Sequence, residues 1–143
     1  MAPTIRDAAA GDSRAVAELL GQLGYPAAPE AVEARLERLR LVGDRVVVAE
    51  VEGVPVGLAH LQVTPAIERE RPVAKLGALV VHDAHRGCGV GRALVEELEA
   101  EARARGCELL FVTTAEHRDD AHAFYERVGL EHTGRRYART LSE

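Results

Sequence analysis

Apolar residues follow two different spacings along the chain, and together they predict an alternation of strands and helices. A spacing of three or four residues is typical of a helix with one buried face, and it predicts helices over 12–23, 29–41, 92–104 and 121–128. Continuous or alternating apolar runs predict strands over 4–7, 45–51, 56–63, 73–81, 108–113, 130–132 and 135–141. Asp12 is the expected N-cap of the first helix, and Asp119 or Asp120 that of the last.

The segments between these elements indicate how the elements connect. Glu52-Gly53-Val54-Pro55 is a turn signal between two apolar runs, which predicts an antiparallel hairpin. A strand, a helix and a strand follow one another over 73–113, and this order implies a right-handed parallel crossover. A chain of 143 residues has room for one core, so we expect a single α/β domain with a mixed sheet over 1–143.

A glycine-rich turn, Arg86-Gly87-Cys88-Gly89-Val90-Gly91-Arg92, joins the central strand to the third helix. Its glycines allow a sharp bend and a close approach to the backbone. No Ser, Thr, Asp or Asn begins the helix, so its first N–H groups need another acceptor, and an anion suits a helix N-terminus. The turn therefore predicts a pyrophosphate site. A plain turn and a dinucleotide-binding turn are the alternatives, and residues 82–85, which separate the strand from the glycines, disfavour the second.

The order of apolar strand, Arg-x-x-Gly-x-Gly and helix resembles motif A of the GCN5-related N-acetyltransferases (GNAT). The resemblance implies the GNAT fold: a mostly antiparallel sheet with one splayed parallel strand pair and helices on both faces. It implies that the turn binds the pyrophosphate of acetyl-CoA, that the strand residues Leu79 and Val81 line the pantetheine arm, and that the Leu79 amide faces the thioester carbonyl. The cofactor-binding residues implied in this way are Leu79, Val80, Val81, Arg86, Gly87, Cys88, Gly89, Val90, Gly91, Arg92, Arg118 and Tyr125.

A second segment, residues 121–130, is similar to GNAT motif B. The resemblance implies that Tyr125 is a catalytic residue, which protonates the departing thiolate of CoA, and that the amine attacks the thioester directly. A phenol with a pKa near about 10 suits that role, because a thiol has a pKa near about 8.5. Arg118 stands where many relatives carry an asparagine that contacts the cofactor. The expectation is that Arg118 contacts phosphate or ribose, and a solvated surface charge is the alternative.

The general base is the part of the chemistry for which the pattern gives least guidance. The central strand lacks the glutamate that often serves as base in the family, although an alkyl ammonium must lose a proton before it attacks. Glu68 is the expected catalytic base, and Glu70, His60 and His82 are alternatives. His82 and His85, three residues apart in a loop, are not a convincing metal pair, and we expect no metal.

Composition narrows the partners and the location. The net charge of −5 and an aromatic content of 3% argue against nucleic-acid binding. No apolar run has membrane-spanning length and no signal peptide is recognisable at the start, so we expect no membrane partner and a cytoplasmic location. The expected reaction is acetyl transfer to a primary amine, most simply of a small molecule. A peptide amine, or a non-catalytic acyl-CoA-binding sensor, is the alternative, and the resemblance makes a homodimer one further expectation.

Overall fold

A computed structural model of the protein describes residues 2–113 and 119–142, with only the backbone at Asp119. The chain forms two compact units, residues 1–112 and residues 113–143. Within the described ranges, no helix is long and apolar enough to cross a membrane.

The first unit is a five-stranded sheet with helices packed on it. Its strands are β1 (Thr4–Asp7), β2 (Arg45–Val51), β3 (Val54–Thr64), β4 (Val73–Val81) and β5 (Leu109–Val112), and its helices are α1 (Ser13–Leu23), α2 (Pro29–Leu41) and α3 (Val90–Ala104). The strands lie in the order β1-β2-β3-β4-β5; the first three pairs are antiparallel, and β4 pairs with β5 in parallel. The predicted hairpin and the parallel pairing are both confirmed.

Side-chain alternation along the strands gives the sheet two apolar faces. Val48, Leu58 and Val80 are buried in one core cluster with Val16 and Leu19 of α1. The opposite face carries Gly57, which lies under the first turns of α3. Because both faces are covered, the central strands are apolar at nearly every position instead of at alternate ones.

Asp12 is the N-cap residue of α1, as predicted, but its side chain makes no capping hydrogen bond to that helix. Its carboxylate accepts hydrogen bonds of 2.8 and 2.9 Å from the Arg6 guanidinium and one of 2.8 Å from the Ala9 N–H. The Arg6 hydrogen bonds hold the pKa of Asp12 below its usual value. A carboxylate this close to an arginine fork forms the stronger charge-assisted pair, which joins β1 to the start of α1.

The second unit contains the helix α4 (Asp119–Arg127). Asp119 and Asp120 are therefore inside the first turn, and the prediction that one of them precedes the helix was wrong. Gly129 adopts a φ of 94°, and the Leu130 N–H donates to the Tyr125 carbonyl at 2.9 Å. Gly129 therefore ends α4, as its position directly after the helix predicts.

The strands predicted over 130–132 and 135–141 are not present, since residues 130–142 have no regular secondary structure. From 131 to 142 every residue is exposed. Alternation along a sequence predicts which side of a strand faces a core, but a strand also needs a neighbour, and no described segment pairs with these residues.

Candidate functional site

The parallel strands β4 and β5 are paired over only part of their length. Their register runs from Val73 opposite Leu109 to Leu76 opposite Val112. From Gly77 to Val81, β4 is paired with β3 alone among the residues that the structure describes. No described residue pairs with the backbone N–H and C=O groups on the other side of this half-strand, and such groups can bind a ligand in the manner of strand addition.

A β-bulge lies in the same half of β4. Leu58 is opposite Val80 and His60 is opposite Gly77, so Ala78 and Leu79 together face the single residue Ala59. Ala78 has a φ of 46°, in the left-handed region that an alanine seldom adopts. A bulge turns backbone groups out of the regular ladder, which is what a catalytic role of the Leu79 amide requires. Sequence reasoning missed the bulge, because nothing distinguishes Ala78 from an ordinary strand residue.

The glycine turn lies between the end of β4 and α3. A short 3-10 helix, Asp83–His85, precedes it, and Gly87 and Gly89 adopt φ angles of 80° and 84°. Gly89 is the N-cap of α3 and provides no side-chain acceptor. The helix begins at Val90, two residues earlier than predicted, so its first turn directly follows the glycines. The predicted combination of a bend with positive φ and an uncapped helix is confirmed.

Arg86 holds this turn against the end of β4. Its Nε donates to the Val81 carbonyl at 3.2 Å, and its Nη2 lies 3.1 Å from Asp83 Oδ1. The side chain remains about half exposed, at 54%. Arg86 thus both fixes the loop conformation and places a positive charge at the mouth of the turn, where Cys88 is also exposed.

The other predicted site residues occupy different parts of the chain. Leu79 and Val81 are half-buried and Val80 is buried. Tyr125 is half-buried on α4, with its ring 5.5 Å from that of Phe124. Glu68 is exposed in the loop that joins β3 to β4, at the end of β4 away from the glycine turn. Arg118 lies outside the described residues.

The histidines named as alternative bases differ in their surroundings. His82 accepts a hydrogen bond from the Ala84 N–H at Nδ1, and its Nε2 lies 3.2 Å from Glu18. His60 Nε2 lies 2.8 Å from Oδ2 of Asp44, a carboxylate whose side chain is 7% exposed. Sequence reasoning missed Asp44, although the hairpin register contained the signal. Val46 pairs with His60, and Asp44, two residues before Val46, lies diagonally across from His60.

The family model that describes the acetyltransferase (GNAT) family matches residues 14–130 of the chain. The chain belongs to the GNAT family. An aminoglycoside N(6')-acetyltransferase type 1 from Stenotrophomonas maltophilia is 32% identical over 139 residues, which cover 94% of this chain and 90% of that protein. A glucosamine 6-phosphate N-acetyltransferase from Trypanosoma brucei brucei is 30% identical over 118 residues, which cover 79% of this chain and 78% of that protein.

A solved structure confirms the GNAT fold. It is that of an aminoglycoside N-acetyltransferase in complex with CoA, which superposes with a TM-score of 0.85 at 20% identity over 98% of this chain and 95% of the other. The five-stranded mixed sheet with its parallel β4–β5 pair is the fold that the sequence motifs implied. This GNAT protein is an acetyl-CoA-dependent N-acetyltransferase.

Proposed function

We propose that this GNAT protein transfers the acetyl group of acetyl-CoA to the primary amine of a small molecule. One observation carries the proposal: the open half of β4, Gly77–Val81, is followed after a short loop by an uncapped helix N-terminus behind two glycines of positive φ. Such a combination suits a ligand with an extended, amide-rich arm and a diphosphate, and acetyl-CoA has both.

The two parts of the site complement the two parts of the cosubstrate. The N–H groups of the first turn of α3 lack intrahelical acceptors, and the helix dipole adds partial positive charge there. A diphosphate bound at this end would receive hydrogen bonds from the backbone and charge from Arg86 and Arg92. The amides of the pantetheine arm would then pair with the free backbone groups of β4.

The chemistry we propose is direct aminolysis of the thioester. The neutral amine attacks the carbonyl carbon, the C–N bond forms, and the oxygen gains negative charge near the Leu79 N–H. The carbonyl re-forms and the C–S bond breaks, and the thiolate takes a proton from the Tyr125 hydroxyl. The nitrogen releases its surplus proton, which returns to Tyr125 through solvent and leaves a neutral amide. The ammonium form of the acceptor gives up its proton beforehand to a base, for which Glu68 was the expectation from the sequence.

Two observations support a small acceptor. The relatives named above are enzymes that acetylate an aminoglycoside and glucosamine 6-phosphate, both compact amines. The net charge of −5 favours cationic acceptors by long-range attraction. The non-catalytic acyl-CoA sensor, the alternative from the sequence, would bind acetyl-CoA without turning over any amine.

The test combines binding with turnover. Acetyl-CoA binding is measured by calorimetry, and release of CoA thiol is followed with an aminoglycoside bearing a 6′-amino group and with glucosamine 6-phosphate. We expect binding, turnover of at least one of these amines, and a fall of about 100-fold in kcat for Tyr125→Phe with little change in KM for acetyl-CoA. Tight binding without turnover of any amine would favour the sensor, and absence of binding would contradict both functions.

We propose a cytoplasmic location, a homodimer and one functional domain over 1–143. Size-exclusion chromatography with light scattering tests the second of these.

A further inference from the structure

A buried carboxylate and a histidine form a pair next to the point where β4 and β5 separate. Asp44, immediately before β2, has a side chain that is 7% exposed, and its Oδ2 lies 2.8 Å from His60 Nε2. When Nε2 carries the ring proton, it donates a hydrogen bond to this carboxylate oxygen. The lone pair is then on Nδ1, which is the basic position.

The register of the sheet places this ring beside the reacting region of β4. His60 is the cross-strand partner of Gly77, and its Nδ1 lies 3.3 Å from the position that a Cβ would occupy there. Gly77 is the first residue of β4 beyond the ladder with β5, and it is two residues before Leu79. The absence of a side chain at Gly77 leaves the space into which the ring fits.

From these contacts we infer that His60 is the general base of the transfer reaction and that Asp44 is its positioning residue. The inference rests on the proposed function. His60 Nδ1 takes a proton from the acceptor ammonium, directly or through one water, and leaves a neutral amine. The amine nitrogen then attacks the thioester carbon and the C–S bond breaks. CoA leaves as the thiol with the Tyr125 proton, and Tyr125 recovers a proton from the new amide nitrogen. The proton on His60 passes to solvent, since the 22% exposure of its side chain permits exchange.

Two comparisons favour His60 over the other bases. The loop that holds Glu68 joins β4 at Val73, and six residues of strand, about 20 Å, separate Val73 from Leu79. His82 accepts a hydrogen bond at Nδ1, so its lone pair is already in use. By contrast, His60 Nδ1 makes no hydrogen bond to any residue in 2–113 or 119–142 that the structure describes.

The charges around His60 come from three elements. Asp44 faces it from the start of β2, and Lys75 lies on the same sheet face of β4, two residues before Gly77. Glu37 and Arg40 of α2 pair with each other and line a cavity that also reaches Asp44. Because these groups also contribute to the pH dependence of kcat, the test compares the kcat of each variant with that of the wild type at every pH.

The experiment measures kcat and kcat/KM for the fastest acceptor of the two-amine panel. His60→Gln keeps an N–H that can bond to Asp44 and removes the base. We expect about a 100-fold loss of kcat near neutral pH, unchanged acetyl-CoA binding, and a deficit that shrinks as the pH rises toward the pKa of the amine. Asp44→Asn should lower kcat by a smaller factor, and His132→Gln, an exposed histidine, is the matched control that should leave kcat unchanged.

A second variant separates chemistry from structure. His60→Ala combined with Gly77→Glu moves the base onto β4, into the space that the ring vacates, and we expect it to recover at least 10-fold over His60→Ala alone. Wild-type turnover that survives His60→Gln, or that is lost in Glu68→Gln instead, overturns the inference and leaves the proposed function intact. A wild-type protein that acetylates neither amine contradicts the proposed function, and the inference fails with it.

Discussion

Gly57→Ala is expected to damage both stability and cosubstrate binding, because no space exists for one added methyl group. A Cβ at this position would lie 2.9 Å from Val90 Cγ1, 3.0 Å from Leu94 Cδ1 and 3.3 Å from Ala49 Cβ. Val90 is 2% exposed and Leu94 fully buried, so neither can move into solvent. Overpacking of this kind costs about 1–3 kcal/mol, which corresponds to a fall in Tm of about 3–12 °C for a chain of this size.

The position of the clash makes the second effect specific. Val90 is the first residue of α3, so displacing it moves the helix N-terminus that we propose binds the diphosphate. We therefore expect acetyl-CoA affinity to fall several-fold in Gly57→Ala. Val90→Ala removes the nearest atom, and in the double variant the two losses should be less than additive by about 1 kcal/mol.

The assay is urea denaturation of the four proteins of this cycle, with calorimetric titration of acetyl-CoA in parallel. Gly21→Ala is the matched control, since a Cβ there meets nothing within 4 Å and the residue is exposed in α1. Its expected effect has the opposite sign, a gain of about 0.5–1 kcal/mol from helix propensity. Strictly additive losses, or a Gly57→Ala protein as stable as the wild type, would refute the packing argument.

Three more predictions follow from individual contacts. Gly89→Ala places a Cβ at a φ of 84°; we expect a loss of about 1–2 kcal/mol in urea denaturation and at least 10-fold weaker acetyl-CoA binding by calorimetry. Asp12→Asn removes the carboxylate whose pKa Arg6 lowers, so it should reduce the free energy of unfolding by roughly 1–3 kcal/mol near neutral pH. The wild-type advantage should be fully present above the ordinary Asp pKa of about 3.9 and should disappear as the pH falls through the lower pKa of the folded protein. A difference in stability that stays constant down to acid pH would contradict this. Ala78→Gly should be nearly neutral in thermal denaturation, because relief of a φ of 46° offsets the entropy cost of glycine, whereas Ala74→Gly, fully buried on the same strand, should lower Tm clearly; equal losses would argue against a strained Ala78.

The sequence predicted the central strand and the glycine turn well because each carries a local physical signal. The run from Val73 to Val81 is apolar enough for a strand covered on both faces, and its predicted limits match the structure. The glycines mark positive φ, and the missing N-cap side chain marks the helix start. In both cases, neighbouring residues decide the conformation, so no knowledge of distant contacts is needed.

Features that depend on distant residues were predicted less well. Asp12 has a side chain that suits a helix cap, but its carboxylate accepts hydrogen bonds from Arg6 on β1 instead of from the N–H groups of α1. Asp44 and His60 are 16 residues apart and meet only through the register of β2 and β3. The strand predicted over 135–141 has no neighbour among the described segments, and a local pattern cannot supply one.

The four-residue ladder between β4 and β5 has a consequence for the protein before any reaction takes place. An unpaired strand edge is a template to which another polypeptide can bind as an additional strand. Within the described part of the chain, the half of β4 from Gly77 to Val81 is such an edge. A cosubstrate that lies along it would complete the sheet, and a molecule that binds only the native state raises its stability in proportion to the logarithm of its concentration. The cosubstrate would then protect its own enzyme from aggregation, and this protection would weaken as the acetyl-CoA concentration falls.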